Sequence, residues 1–176
     1  MLYNFLYPLA DQISVFNVFR YITFRTGGAV MTALILSFLI GPFLIRMLAS
    51  RQSGGQPIRD DGPESHLLTK KGTPTMGGFM ILLALTVATL LWADLTNGYV
   101  WAALGVTIGY GAIGFIDDYI KVSRRKSGGL PGKLKLLLQT LVALSATMWI
   151  VHLLPEPLNS TIAVPFFKNL LIELGW

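Results

Sequence analysis

The stretch Tyr99-Val-Trp-Ala-Ala-Leu-Gly-Val-Thr-Ile-Gly-Tyr-Gly-Ala-Ile-Gly-Phe-Ile116, followed at once by Asp117-Asp-Tyr-Ile-Lys121, decides the fold. Its 18 residues carry no charge. They are apolar all round, with no polar face to give to water, so a helix made of them belongs inside a bilayer. At 1.5 Å per residue it reaches roughly 27 Å, against a hydrocarbon core of about 30 Å. Three other uncharged stretches share the property: Gly27 to Ile45, Met76 to Ala93, and Leu136 to Leu154, the last with Gln139 and His152 inside it. The expectation is an all-α, polytopic helical membrane protein. Residues 1–176 then form part of one integral membrane domain, with four transmembrane helices at about 27–45, 76–93, 99–116 and 136–154.

Composition agrees. Of 176 residues, 53% are hydrophobic and 13% charged, about half the charged share of a soluble domain. The mean hydropathy is +0.59. A disordered chain needs the opposite balance, and a soluble globule would lack the polar surface to stay dissolved. The absence of cysteine excludes disulfides, thiolate metal sites and a cysteine nucleophile. Segment 1–26 is apolar and aromatic but broken by Pro8, Asp11 and Arg20. It has no basic region ahead of an apolar core, so it does not read as a secretory signal. It reads as an interfacial segment with helical character. No internal repeat is visible.

Basic residues set orientation. The connection 46–75 holds Arg46, Arg51, Arg59, Lys70 and Lys71, and the connection 117–135 holds Lys121, Arg124, Arg125, Lys126, Lys133 and Lys135. The short turn from Asp94 to Gly98 holds none. Both long loops are therefore expected in the cytoplasm, with the N-terminus, the turn and the tail 155–176 outside. Arg20 and Arg25 run against that rule on the outer side. Gly105 and Gly109 form a GxxxG, continued by Gly111 and Gly114, which suits close helix packing. The tail reads as an amphipathic segment on the outer surface.

The two cytoplasmic loops carry the chemistry. The first runs Arg59-Asp-Asp-Gly-Pro-Glu-Ser-His-Leu-Leu-Thr-Lys-Lys-Gly-Thr-Pro-Thr-Met-Gly-Gly78. Glycines admit backbone N–H groups to a ligand, and hydroxyls and lysines suit phosphate oxygens. Ser65, His66, Lys70 and Thr75 are its candidate contacts. The plainer reading is a basic topology loop that caps the next helix with Thr73 or Thr75. The second loop opens on Asp117 and Asp118. Asp117 and Lys121 are four apart, share a helix face and can simply pair. Alternatively the two carboxylates hold Mg²⁺, an oxygen-seeking ion that accompanies substrate phosphates, or one of them acts as a base. The run Arg124 to Lys126, with Lys133 and Lys135, offers counter-charge to phosphate. It serves equally as a topology signal or a contact for anionic membrane lipids. Gln139, His152 and Asp94 read as structural.

Taken together, Asp61-Gly-Pro-Glu-Ser-His, Lys71-Gly-Thr-Pro-Thr-Met-Gly-Gly and Gly114-Phe-Ile-Asp-Asp-Tyr-Ile-Lys resemble the bacterial phospho-N-acetylmuramoyl-pentapeptide transferase family. That family lies within the polyprenyl-phosphate sugar-1-phosphate transferases. Phe16-Asn-Val-Phe-Arg-Tyr-Ile-Thr-Phe-Arg and Val164-Pro-Phe-Phe-Lys resemble it too, so the likeness runs along the whole chain in order. The resemblance implies an enzyme of the cytoplasmic (inner) membrane. It moves phospho-MurNAc-pentapeptide from UDP-MurNAc-pentapeptide to undecaprenyl phosphate, giving lipid I and UMP, with Mg²⁺ as cofactor. It also implies a homodimer and gives no place to nucleic acid.

Carried over by position, Asp117 matches the base toward the lipid phosphate, and Asp118 its catalytic or metal-organising neighbour. Lys70 and Thr75 match positions lining the nucleotide cleft, and Lys121 and Lys133 basic positions near the phosphates. The family has about ten spans and this chain four, so it resembles the N-terminal half. The further metal ligand is expected outside it, and the 176 residues alone are expected to be inactive. The alternatives are a related N-acetylhexosamine-1-phosphate transferase and a non-catalytic membrane module.

Overall fold

The computed structural model describes residues 1–52, 77–124, 128–156, 158–163 and 171–173. A short helix α1 (Leu2–Leu6) leads through 3-10 turns at Tyr7–Asp11 and Ser14–Arg20 into α2 (Ile22–Arg51). Then follow α3 (Gly77–Trp92), α4 (Gly98–Arg124) and α5 (Gly132–Leu153). Three of these, α2, α4 and α5, are long and apolar enough to cross a membrane. The fourth, α3, has 16 described residues, roughly 24 Å of helix. The expected start of its span, Met76, lies outside the described residues. The chain is thus a multi-pass, helical membrane protein.

The helices outrun the uncharged stretches that announced them. α2 starts five residues before Gly27 and continues to Arg51, with Pro42 inside it. α4 continues eight residues past Ile116, and α5 begins four before Leu136. Charge ends a span but not a helix: outside the hydrocarbon, i,i+4 pairs and helix-forming side chains keep the backbone coiled. The tail holds a small antiparallel ladder, β1 (Thr161–Ala163) with β2 (Leu171–Glu173), in the register Ile162 opposite Ile172. It follows a 3-10 turn at Leu158–Ser160.

α2 packs on α3, α3 on α4, and α4 on α5. Between α2 and α3, Trp92 donates its Nε1–H to Thr32 Oγ1 at 2.9 Å and stacks on Phe19 at 5.9 Å between ring centres. Two glycines of α4 admit neighbours on two different sides. A side chain on Gly109 would meet Val142 of α5 at 2.9 Å, and one on Gly111 would run into Leu82 of α3. Gly105 and Gly114 face nothing within 4 Å. The GxxxG pair therefore does not work as one seam: Gly109 serves one helix and Gly111 another. Elsewhere the surface is apolar, with Phe38 77% and Met148 76% exposed. Side chains of this kind are at home against lipid tails or further helices.

The molecule has two ends. At one, the turn 93–98 meets the N-terminal segment, and the last turn of α5 comes against Gly98 and Tyr99. Asn4 donates its Nδ2–H to Asp94 Oδ1 at 3.1 Å and accepts the Leu95 N–H at 3.1 Å. The Met1 amine donates to the Leu90 carbonyl at 2.7 Å. Trp101 donates its Nε1–H to the Leu95 carbonyl at 2.8 Å. Segment 1–21 thus folds over the same end as the turn. At the other end lie the last turns of α4 and the first of α5.

Asp94 gives this first end an acid sensitivity. The Thr96 hydroxyl and N–H donate to its Oδ1 at 2.7 and 3.0 Å. The Thr96 hydroxyl bond most of all, opposed next by desolvation and helped by the Thr96 N–H, Asn4 and Arg25, holds its carboxyl below the ordinary 3.8. A depressed folded-state pKa adds stability above the unfolded value, and that stability is lost as pH falls through the folded one. Acidification from pH 6 to below about pH 4 should therefore loosen segment 1–21. Protease cleavage within that segment should rise over the window. Asp94→Asn should show raised cleavage already at pH 6; a pH profile identical in both proteins would remove Asp94 from the clasp.

Candidate functional site

Helix α4 leaves the apolar stretch at Ile116, and the next turn supplies Asp117, Asp118 and Lys121. Asp117 is buried, 6% exposed, and is the one buried charged residue among those described. A carboxylate taken out of water is costly unless donors replace the water. Three groups reach it. Lys121 Nζ donates to Oδ2 at 2.7 Å, the i,i+4 pair allowed by the helical spacing. The Leu130 backbone N–H donates to Oδ1 at 2.7 Å. Lys135 Nζ stands 3.7 Å from Oδ2. Asp118 is more open and lies 3.6 Å from Lys121 Nζ, so one ammonium group bridges both carboxylates. These are charge-assisted contacts, the stronger class of hydrogen bond.

The arrangement depends on a backbone strap, residues 128–131, which connects the basic run to α5. Gly129 lies flat over the carboxylate. A side chain there would collide with Asp117 Oδ1, and would lie 2.7 Å from Asp117 Cγ and 2.8 Å from Lys121 Cε. The missing Cβ lets the strap come close enough for the Leu130 N–H to reach Oδ1. Pro131 then caps α5, and its carbonyl accepts the Lys135 N–H at 3.0 Å. Beneath the site an aromatic ladder ties α3 to α4. Phe79 packs on Phe115 at 5.8 Å, and Phe115 on Tyr119 at 6.4 Å.

The sequence-derived residues fall into three groups. Asp117, Asp118 and Lys121 come together as described. Lys133 lies exposed on the first turn of α5, whereas Lys135, two residues on, is the lysine of that helix that approaches Asp117. Two residues advance a helix by about 200°, so the two side chains leave opposite faces. Ser65, His66, Lys70 and Thr75 lie outside the described residues, as do Arg125 and Lys126. Gly129 and Leu130 were not singled out by the sequence. The only signal was the Gly128-Gly129-Leu130-Pro131-Gly132 run, which marks a turn without saying what the turn covers.

The described residues do not by themselves fit a Mg²⁺ ion. Both oxygens of Asp117 are engaged by N–H and ammonium donors. No group of three or more acidic or imidazole side chains capable of holding a metal occurs among the described residues. What the site offers is a fixed carboxylate flanked by two lysines, an arrangement that can hold phosphate oxygens beside a negative charge.

No family model matches the chain. Whole-length similarity is nonetheless high. The chain is 60% identical over all 176 of its residues to a Granulibacter bethesdensis protein named phospho-N-acetylmuramoyl-pentapeptide-transferase. It is 53% identical over 180 aligned positions, 99% of the chain, to a Maricaulis maris protein of the same name. In both cases the match spans 49% of the relative, so the chain covers about half the length of the curated relatives it matches.

Proposed function

From a chain that aligns end to end with half of two phospho-N-acetylmuramoyl-pentapeptide-transferases, we propose that it supplies part of the active site of such an enzyme. The observation that carries the reading is Asp117, a buried carboxylate at the end of a membrane helix, held by two lysines and a backbone N–H. In the proposed reaction an oxygen of undecaprenyl phosphate attacks the sugar-side phosphorus of UDP-MurNAc-pentapeptide. The new P–O bond gives lipid I, and the bond to the bridging oxygen breaks to release UMP. A reaction between two phosphates needs positioning and charge neutralisation above all. Lys121 and Lys135 supply positive charge at this spot, and Asp117 accepts a proton from, or orients, the attacking lipid phosphate.

Several finer features belong to the same proposal. The Asp117 end of the helices faces the cytoplasm of a bacterial inner membrane, because the sequence concentrates its basic residues in the connections 46–75 and 117–135. The nucleotide substrate reaches the site from that side, through the loop that carries Ser65, His66, Lys70 and Thr75. Mg²⁺ and a homodimer follow from the family likeness, the metal to be held by groups outside the described residues.

The test uses the full-length protein. UMP release should require undecaprenyl phosphate and UDP-MurNAc-pentapeptide together, and chelation of divalent cations should stop it. UDP-N-acetylglucosamine should not replace the muramoyl substrate. Equal turnover of the two nucleotide sugars would move the protein to the related hexosamine-phosphate transferases, and no turnover of either would withdraw the reading.

A further inference from the structure

Arg25 is the residue that the charge pattern explained least, a cation at the end of the molecule that the positive-inside rule keeps poor in basic residues. The structure places it on the first turn of α2, with its guanidinium 4.2 Å from the centre of the Tyr3 ring. Its Nε is buried and has no hydrogen-bond partner among the described residues. A buried donor left unmatched is costly, so such groups mark places where something else completes the bond.

Arg25 lines a cavity of about 280 Å³ between the first turn of α2, the last of α3 and the first of α4. Asp94 and Asn97 line it too, and its walls are Ile22, Trp92 and Val100. Arg25 and Asp94 share this space, near enough for the guanidinium to help hold the Asp94 carboxyl down. The cavity thus presents one positive and one negative group side by side, in an apolar frame. It sits where Tyr3, Tyr7, Trp92, Tyr99 and Trp101 gather, the aromatic belt of a membrane–water boundary. Ile22, at the rim of the cavity, is 70% exposed.

We propose that this cavity binds the headgroup of a zwitterionic phospholipid from the leaflet opposite the Asp117 end. The lipid phosphate sits on Arg25 and its ammonium on Asp94. The volume suits a headgroup and excludes a whole lipid, lying just under the ~300 Å³ at which pockets for drug-sized ligands begin. Charge selects the class. A headgroup with net negative charge would place its phosphate on Arg25 but meet the Asp94 carboxylate unpaired. An amine-bearing headgroup satisfies both. The site is independent of the transferase reading, because it lies at the other end of the helices.

The experiment is native mass spectrometry of the protein purified from membranes in mild detergent. It is titrated in parallel with phosphatidylethanolamine, phosphatidylglycerol and inorganic phosphate. The expected result is preferential retention of phosphatidylethanolamine. Arg25→Gln should weaken it about tenfold, the loss of one charge-assisted contact. Asp94→Asn should remove the preference over phosphatidylglycerol, and Arg20→Gln, at the same end but outside the cavity, should change nothing. Equal retention of the two lipids by the unmodified protein would overturn the proposal. So would retention unchanged in Arg25→Gln, or displacement of the lipid by inorganic phosphate, which would make this a simple anion site. If Arg25→Gln does not elute as a folded species, the lipid preference of Asp94→Asn decides, and a preference it keeps intact overturns the proposal.

Discussion

On the proposed function, Asp117→Asn is expected to cut UMP release at least a hundredfold, while the protein stays folded and in the membrane. The substitution keeps shape and volume. The side-chain oxygen of asparagine can still accept the Leu130 N–H that now bonds Oδ1 at 2.7 Å. What disappears is the charge between Lys121 at 2.7 Å and Lys135 at 3.7 Å, together with the ability to take a proton. Loss of a positioned general base typically costs 10²–10⁴-fold. The stability cost is smaller. Lys121 and Lys135 expose 29% and 41% of their side chains, so both ammonium groups can turn to water once the carboxylate is gone. A wholly buried pair would lose about 3–5 kcal/mol on losing one partner; here about 1–2 kcal/mol is expected. The two readouts therefore separate. Activity gone with a nearly unchanged thermal midpoint supports a chemical role. Near-normal turnover would remove Asp117 from the reaction, and a midpoint falling in step with activity would make it a packing residue.

How much of this was legible depends on the length scale of each feature. The spans were legible because an uncharged run of 18 residues, such as Tyr99 to Ile116, has few stable places outside a bilayer. The helix ends were not. Asp117 to Lys121 read as the opening of a loop, yet they continue α4 to Arg124, because a helix needs no lipid once its charges pair along one face. The same mistake of scale placed Lys133 and Lys135 in a loop, whereas α5 already begins at Gly132. Once they are on a helix, their two-residue spacing sends Lys135 toward Asp117 and leaves Lys133 exposed. The N-terminal segment read as helical in character, and it forms a short helix and two 3-10 turns; its clasp on the Asp94 turn joins residues about 90 apart, as in Asn4 to Asp94, and no local pattern records that. The tail read as an amphipathic segment; part of it pairs as a short ladder instead. Of the candidate site, the α4 half was readable from spacing alone. The strap half was not, since what it does depends on a contact made across the chain.

That strap carries the second large prediction. On the same proposed function, Gly129→Ala should cost roughly a hundredfold in turnover, and Gly128→Ala almost nothing. The two glycines are neighbours in one turn, so glycine content alone does not tell them apart. Their surroundings differ. Among the described residues a methyl group on Gly128 meets no atom within 4 Å, whereas one on Gly129 collides with the Asp117 carboxylate and lies 2.8 Å from Lys121 Cε. The structure can relieve the clash in two ways. Either residues 128–131 lift, and the Leu130 N–H loses Oδ1, or Asp117 rotates and gives up Leu130 and Lys121 together. Overpacking of this kind costs about 1–3 kcal/mol. Its effect on catalysis is larger, because a displacement near 1 Å can cost 10²-fold when the reacting groups must be aligned. Nothing chemical is removed by the substitution, so a loss of activity reports on where Asp117 is held and not on its identity. Equal behaviour of the two alanine variants, whether both active or both dead, would mean that the strap does not seat the carboxylate.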